Sequence, residues 1–183
     1  MSIEVEIRSF ISEAQYNQLL DFFKQNAVIV KEDFQETHYF NCPEDLRIQK
    51  SNSRAKIWVK KGNIHDEARE EIEIIINKED FEKIANVFKN LGYDVEIKWL
   101  RDRKQFDWNG IKVCLDYTKG YGHIIELEQQ CTEEEKERTL ENLKEKLNEL
   151  NISLTPKEVF DETFRYYKEN WRRLIENELD REI

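Results

Sequence analysis

A chain of 183 residues that is 39% hydrophobic and 11% aromatic reads most simply as one domain, able to bury about two thirds of its unfolded surface. Its 29 basic against 39 acidic residues, net −10, exclude a general nucleic-acid or anionic-membrane binder but leave room for local sites that take a small anion. No run approaches the ~18 apolar residues of a membrane span and no apolar leader opens the chain; Cys42, Cys114 and Cys131 form no CxxC pair, as expected of reduced thiols in a cytoplasmic protein.

The first predicted element is a strand over 3–9, in which Glu4, Glu6 and Arg8 alternate with Val5 and Ile7. Ser12 with Gln15 forms a capping box ahead of a helix striped by Tyr16, Leu19, Leu20 and Phe23. Alternation then predicts strands over 35–41, 46–50, 54–61 and 69–76. A second helix follows Asn77, runs through Phe81, Ile84, Val87, Phe88 and Leu91, and stops at Gly92. Strands over 95–107 (with a bend), 111–117 and 123–130 complete a count of eight, the glycines of KGYG (119–122) serving the last hairpin turn. Thr132 with Glu135 caps a charged helix to about Leu150 with a solvated face. Thr155, Pro156 and Glu158 start a last helix to about Leu179. Its stripe of Phe160, Phe164, Tyr167, Trp171 and Leu174 is packing, over the barrel or in a homodimer contact. His38, His65 and His123 lack zinc-ligand spacing and read as surface or loop residues.

Eight mostly antiparallel strands suggest a closed barrel or a sandwich. Parity within each strand is informative. Arg47 and Gln49 oppose Leu46 and Ile48; Arg54, Lys56, Trp58 and Lys60 oppose Ala55, Ile57 and Val59; Arg69, Glu71 and Glu73 oppose Ile72 and Ile74. Arg101 and Arg103 form a further row, Lys112, Cys114 and Asp116 oppose Ile111, Val113 and Leu115, and Glu126 and Glu128 oppose Ile125 and Leu127. A wet sheet face reads this way too. Against it, these positions hold Glu, Arg and Lys with few Ser or Thr, and the helices need the strands' apolar faces to cover. Closed with its charges inward, the barrel becomes a polar tunnel whose buried charges require partners, water or a bound ion. Cations there suit phosphate oxygens and clustered carboxylates suit a hard divalent cation such as Mg²⁺ or Mn²⁺.

EVEIR (4–8) resembles the ExExK signature of the CYTH superfamily, the triphosphate tunnel metalloenzymes, which include class IV adenylyl cyclases and thiamine triphosphatases. QETHYF (35–40), LRIQ (46–49), KIWVKKG (56–62), REEIE (69–73), RDRKQF (101–106) and CLDYTKGYGHIIELE (114–128) are similar, in order, to further segments of that family. The resemblance implies an α+β fold: an eight-stranded antiparallel barrel tunnel over about 3–130 with flanking helices, extended by C-terminal helices over about 132–181, all in one domain spanning 1–183. It further implies a triphosphate-containing small molecule as substrate and Mg²⁺ or Mn²⁺ as cofactor. Glu4, Glu6, Glu126 and Glu128 would be metal ligands with Asp116 close by. Arg8, Arg47, Lys60, Arg101 and Arg103 would hold the phosphates, Lys56 and Arg69 would face the substrate, and Glu71 and Glu73 would line the tunnel. Three departures from the family pattern stand out: Arg8 replaces the signature lysine, Gln49 replaces an arginine, and Thr37 stands where Asp is frequent. A guanidinium stays protonated, so Arg8 binds phosphate but takes no proton.

The reading that results is metal-dependent hydrolysis of a triphosphate, with Glu4 and Glu128 the most damaging losses and Arg103 a stabiliser of transition-state charge. Two alternatives share the tunnel: an adenylyl cyclase, for which Trp58 is a candidate stacking surface though more often such a residue is packing, and a non-catalytic triphosphate-binding module.

Overall fold

The structure, a computed structural model, describes residues 2–60 and 71–179. It contains strands β1 (Ser2–Ile11), β2 (Val28–Phe40), β3 (Asp45–Lys50), β4 (Ala55–Lys60), β5 (Glu71–Ile76), β6 (Val95–Trp108), β7 (Ile111–Thr118) and β8 (Gly122–Thr132). Helices are α1 (Glu13–Asn26), α2 (Phe81–Asn90), α3 (Lys136–Glu149) and α4 (Lys157–Leu179). The class is α+β as expected, with all eight strands in one antiparallel sheet of order β1-β8-β7-β6-β2-β3-β4-β5. Among the described residues this ladder is open: β1 and β5 end it and are not paired to each other. The chain divides into two compact units, one of 1–32 and 102–167, the other of 33–101 and 168–183.

In the first unit, β1, β7 and β8 turn Val5, Ile7, Val113, Leu115, Ile125 and Leu127 to a single buried core. Two helices cover it. Leu19 and Phe23 of α1 enter it beside Phe106 and Trp108, and Leu143 and Leu147 of α3 enter it as well. The charged helix therefore carries an apolar seam on the side opposite its solvated face. The local signals operate as expected: the Ser12–Gln15 box caps α1, the Thr132–Glu135 box caps the 3-10 turn that leads into α3, and Gly120 and Gly122 take φ of 72° and 114° in the β7–β8 hairpin.

In the second unit, Phe40, Ile48, Ala55, Ile57 and Ile76 face Phe81, Ile84 and Phe88 of α2. This helix follows a 3-10 turn at Lys78–Asp80 and ends before Gly92, whose φ is 92°. Trp171 of α4 donates from Nε1 to the Glu96 carbonyl at 2.7 Å, and Lys168 pairs with Glu96 at 2.8 Å. The buried positions of α4 are Phe160, Tyr167, Trp171 and Ile175, so the stripe passes through Ile175 where Leu174 was expected.

Two further expectations change. β2 begins at Val28, seven residues before the predicted strand; its early segment, VIVKE, is exposed and has no period-two alternation in its sequence from which a strand could be predicted. His38 is not a surface residue: it is 3% exposed, bonded to Glu36 at 2.7 Å and packed against Phe81. A histidine in a β-strand tolerates this depth when a carboxylate takes one ring nitrogen.

Candidate metal and phosphate site

Strand parity puts Glu4, Glu6 and Arg8 on the face of β1 that turns away from the core. The β1–β8 register sets Glu4 opposite Gln130, Glu6 opposite Glu128 and Arg8 opposite Glu126, and the β7–β8 register sets Lys112 opposite Glu128. Facing pairs on one side of an antiparallel ladder lie within side-chain reach. The first unit thus gathers two clusters on one face.

The first is acidic. Carboxylate oxygens of Glu4, Glu6 and Glu128 lie within 4.8 Å of one another. Gln130 Nε2 donates to Glu4 at 2.8 Å, and Lys112 Nζ reaches Glu128 at 2.5 Å. Three like charges this close resist full ionisation. Glu4 is pushed up to about 7, first by the hydrogen bond it shares with Glu128, then by desolvation and by that neighbour's charge. Glu6 is likewise pushed up to about 7, chiefly by desolvation and then by the charge of Glu126. An all-carboxylate donor set that binds protons near neutrality fits a hard divalent ion such as Mg²⁺ or Mn²⁺, which would replace those protons.

The second cluster is built on Arg103. Its Nε and Nη2 donate to the two oxygens of Asp116 at 2.8 and 2.6 Å, and Nη2 lies 3.3 Å from Glu126. Both partners of the Arg103–Asp116 pair are deeply placed, 15% and 5% exposed in their side chains. Nη1 makes no hydrogen bond among the described residues, which leaves one end of the guanidinium fork for a ligand. Between the clusters lies Cys114, buried, its thiol pushed up to about 12 by desolvation.

Of the expected metal set, then, Glu4, Glu6 and Glu128 come together, whereas Glu126 and Asp116 are held by Arg103. Arg8 lies directly across from Glu126 and rests on the Phe160 ring, 4.8 Å from its centroid. Lys112 was not among the site residues expected from sequence, although its parity with Asp116 placed it on the right face.

The second unit presents its own charged face. Arg47 is fastened to Asp45 by bonds of 2.6 and 2.5 Å and lies 4.2 Å from the Tyr39 ring centroid. Lys56 pairs with Glu73 at 2.5 Å, and Arg101 donates twice to Gln35 at 3.0 and 2.6 Å. Lys60 and Glu71 are backbone partners in the β4–β5 register, while Arg69 lies outside the described residues. Trp58 is 5% exposed, and its buried Nε1 finds no partner among the described residues. Two departures from the family pattern prove to be neighbours: Thr37 and Gln49 are directly paired, with Gln49 Nε2 donating to Thr37 Oγ1 at 2.8 Å. A neutral hydrogen bond stands where the family pattern has an acid and a base.

Among the described residues no helix is long and apolar enough to cross a membrane. The chain is similar to several known proteins. A protein of Methanocaldococcus jannaschii, provisionally named an adenylate cyclase, is 32% identical over 163 residues, covering 82% of this chain and 91% of the relative. A conserved hypothetical protein of Pyrococcus furiosus superposes with a TM-score of 0.66 at 25% identity, covering 82% of this chain and 92% of that one. An adenylyl-cyclase-like protein of Hippeastrum, described as having a dominant triphosphatase activity, superposes with a TM-score of 0.63 at 20% identity over 87% of this chain and 94% of its own. The CYTH domain family model matches residues 2–163, and the chain belongs to that family.

Proposed function

We propose that this protein is a divalent-metal-dependent triphosphatase, cleaving inorganic, nucleoside or thiamine triphosphate at the charged face of β1, β7 and β8. The observation that carries the reading is the Glu4–Glu6–Glu128 trio, three carboxylates within 4.8 Å beside a guanidinium with a free donor edge. When bound, Mg²⁺ or Mn²⁺ would neutralise phosphate oxygens and hold the chain for in-line attack.

Each residue has a distinct task. Glu4, Glu6 and Glu128 hold the cation, with Gln130 fixing the orientation of Glu4 and the Lys112 ammonium neutralising Glu128 until the metal arrives. Asp116 and Glu126 lock Arg103 before substrate arrives, so that its free edge meets developing charge without reorganisation. Arg8 supplies a permanent positive charge to phosphate and moves no proton. The family resemblance assigns Arg47, Lys56, Lys60, Arg69 and Arg101 to phosphate binding, with Glu71 and Glu73 moderating them. A cyclase, in which a ribose oxygen attacks the α-phosphorus and pyrophosphate leaves, is the second reading; the 32% identity to the archaeal relative named for that activity favours it.

Product analysis after incubation with ATP, inorganic triphosphate or thiamine triphosphate, with Mg²⁺ or Mn²⁺, tests this. Orthophosphate release that disappears in Glu4→Ala supports the triphosphatase. Cyclic AMP with pyrophosphate transfers the assignment to the cyclase. Binding of triphosphate without any metal-dependent product leaves a non-catalytic binding module.

A further inference from the structure

The charged row of β1 ends abruptly. After Glu4, Glu6 and Arg8, the next residue on the same face is Phe10, and there the surface becomes aromatic. Phe10 stacks on Phe160 of α4 with centroids 4.4 Å apart and planes at 22°, and it meets Tyr121 at 5.3 Å. Tyr121 in turn stands edge-on to Tyr167 of α4 at 5.5 Å. Phe160 is only 3% exposed, so its ring is fixed by packing, and the Arg8 guanidinium carbon lies 4.8 Å from its centroid.

The start of α4 is also pinned to β1. The Phe10 amide donates to Thr155 Oγ1 at 3.0 Å, and the Thr155 amide donates to Ser9 Oγ at 3.0 Å. Ser9 is fully buried, and the two bonds join residues 145 and 146 positions apart. The first turn of α4 hangs from that tether, with the Phe160 amide bonded to the Pro156 carbonyl at 3.4 Å. The segment that carries the ring cannot shift along β1 without breaking both bonds.

We propose that Phe160 is a positioning residue for Arg8, which makes the C-terminal helix a working part of the phosphate site and not only a cover for the sheet. The inference rests on the triphosphate reading above. Arginine has a long, rotamer-rich side chain, and a ligand that has to immobilise it binds more weakly. A flat guanidinium lies well on an aromatic face, whereas an ammonium interacts only as a point charge. The ring therefore also gives a physical role to the arginine at this position, where the family signature has lysine: Arg8 is held in place beside Glu126 and the Arg103 cluster before phosphate arrives.

The test is a double-mutant cycle on binding of inorganic triphosphate, followed calorimetrically in EDTA so that no metal-dependent turnover occurs. Phe160→Leu is expected to weaken binding about three- to tenfold, Phe160→Trp to restore it, and Thr155→Val to give a smaller loss in the same direction. In an Arg8→Ala background Phe160→Leu should have no further effect; an equal loss in that background, or none in the wild-type background, overturns the proposal. Should Phe160→Leu fail to fold, Phe160→Met serves the same cycle. A second readout needs no ligand: the ¹⁵N-labelled Arg8 guanidinium should show slowed side-chain rotation in the wild type and Phe160→Trp, lost in Phe160→Leu. Slowed rotation with no triphosphate binding in EDTA and no metal-dependent product would uphold the contact and sink the triphosphate reading; free rotation in the wild type would sink the positioning role whatever binds.

Discussion

Replacing Arg103 by alanine isolates the deepest charge network of the first unit. The guanidinium makes two bonds to Asp116, whose side chain is 5% exposed, and a third to Glu126, 14% exposed. Its proton is held more tightly than usual; burial opposes the charge, and Glu126 and Asp116 outweigh it. Alanine removes the cation and leaves two crowded carboxylates with no partner from that side. Breaking a buried pair this way costs about 3–5 kcal/mol, more than the pair itself contributes, because the survivor remains desolvated. For a chain of this length each kcal/mol moves the melting temperature about 2–4 °C, so a fall of about 6–20 °C is expected at pH 8. The fall should shrink at pH 5. A buried carboxylate without its cation costs less once it is neutral, so acid removes part of the penalty that the lost guanidinium leaves. Arg103→Lys should lie between the two, since an ammonium keeps the charge but not the fork. Thermal unfolding by circular dichroism at both pH values decides the matter. A melting temperature within about 2 °C of wild type at pH 8 would refute the argument, because it would mean that Asp116 and Glu126 are solvated by other means.

Glu4 and Glu6, both pushed up to about 7, set a further pH window. Their contribution to stability is complete below the unfolded value near 4.5 and is lost as pH rises through about 7, so the metal-free protein in EDTA should melt progressively lower from pH 5 to 8. Mn²⁺ should reverse that trend, its apparent affinity rising over pH 6–8 as the carboxylates shed protons; a flat melting profile in EDTA would contradict both shifts. Lys112→Met removes the internal cation from Glu128 and should raise Mn²⁺ affinity at pH 8 by about tenfold or less, measured by electron paramagnetic resonance; unchanged or weaker binding would show that Lys112 does not compete with the metal. Trp171→Phe deletes the 2.7 Å bond to the Glu96 carbonyl and should cost about 1–3 kcal/mol in chemical denaturation, with no effect on the metal-binding profile.

Much of this molecule is determined by the order of residues alone. Period-two alternation placed the strands and assigned their faces, because a side chain in a strand has only two directions available. Capping boxes at Ser12 and Thr132 and glycines at 92, 120 and 122 marked helix ends and turns, because these residues satisfy local backbone demands. The early part of β2 is not legible in the sequence, since VIVKE does not alternate between apolar and polar residues. Tertiary structure alone decided how the charges pair. Nothing in the sequence ranks Glu128 above Glu126 as a neighbour of Glu4 and Glu6; the β1–β8 register does, together with Arg103 drawing Glu126 away. The partnerships of Thr37 with Gln49, of Lys112 with Glu128 and of Arg8 with Phe160 join positions 12, 16 and 152 residues apart. Local pattern specifies which way a side chain points. Which other side chain it meets depends on register and on the packing of distant segments, and no short-range rule encodes that.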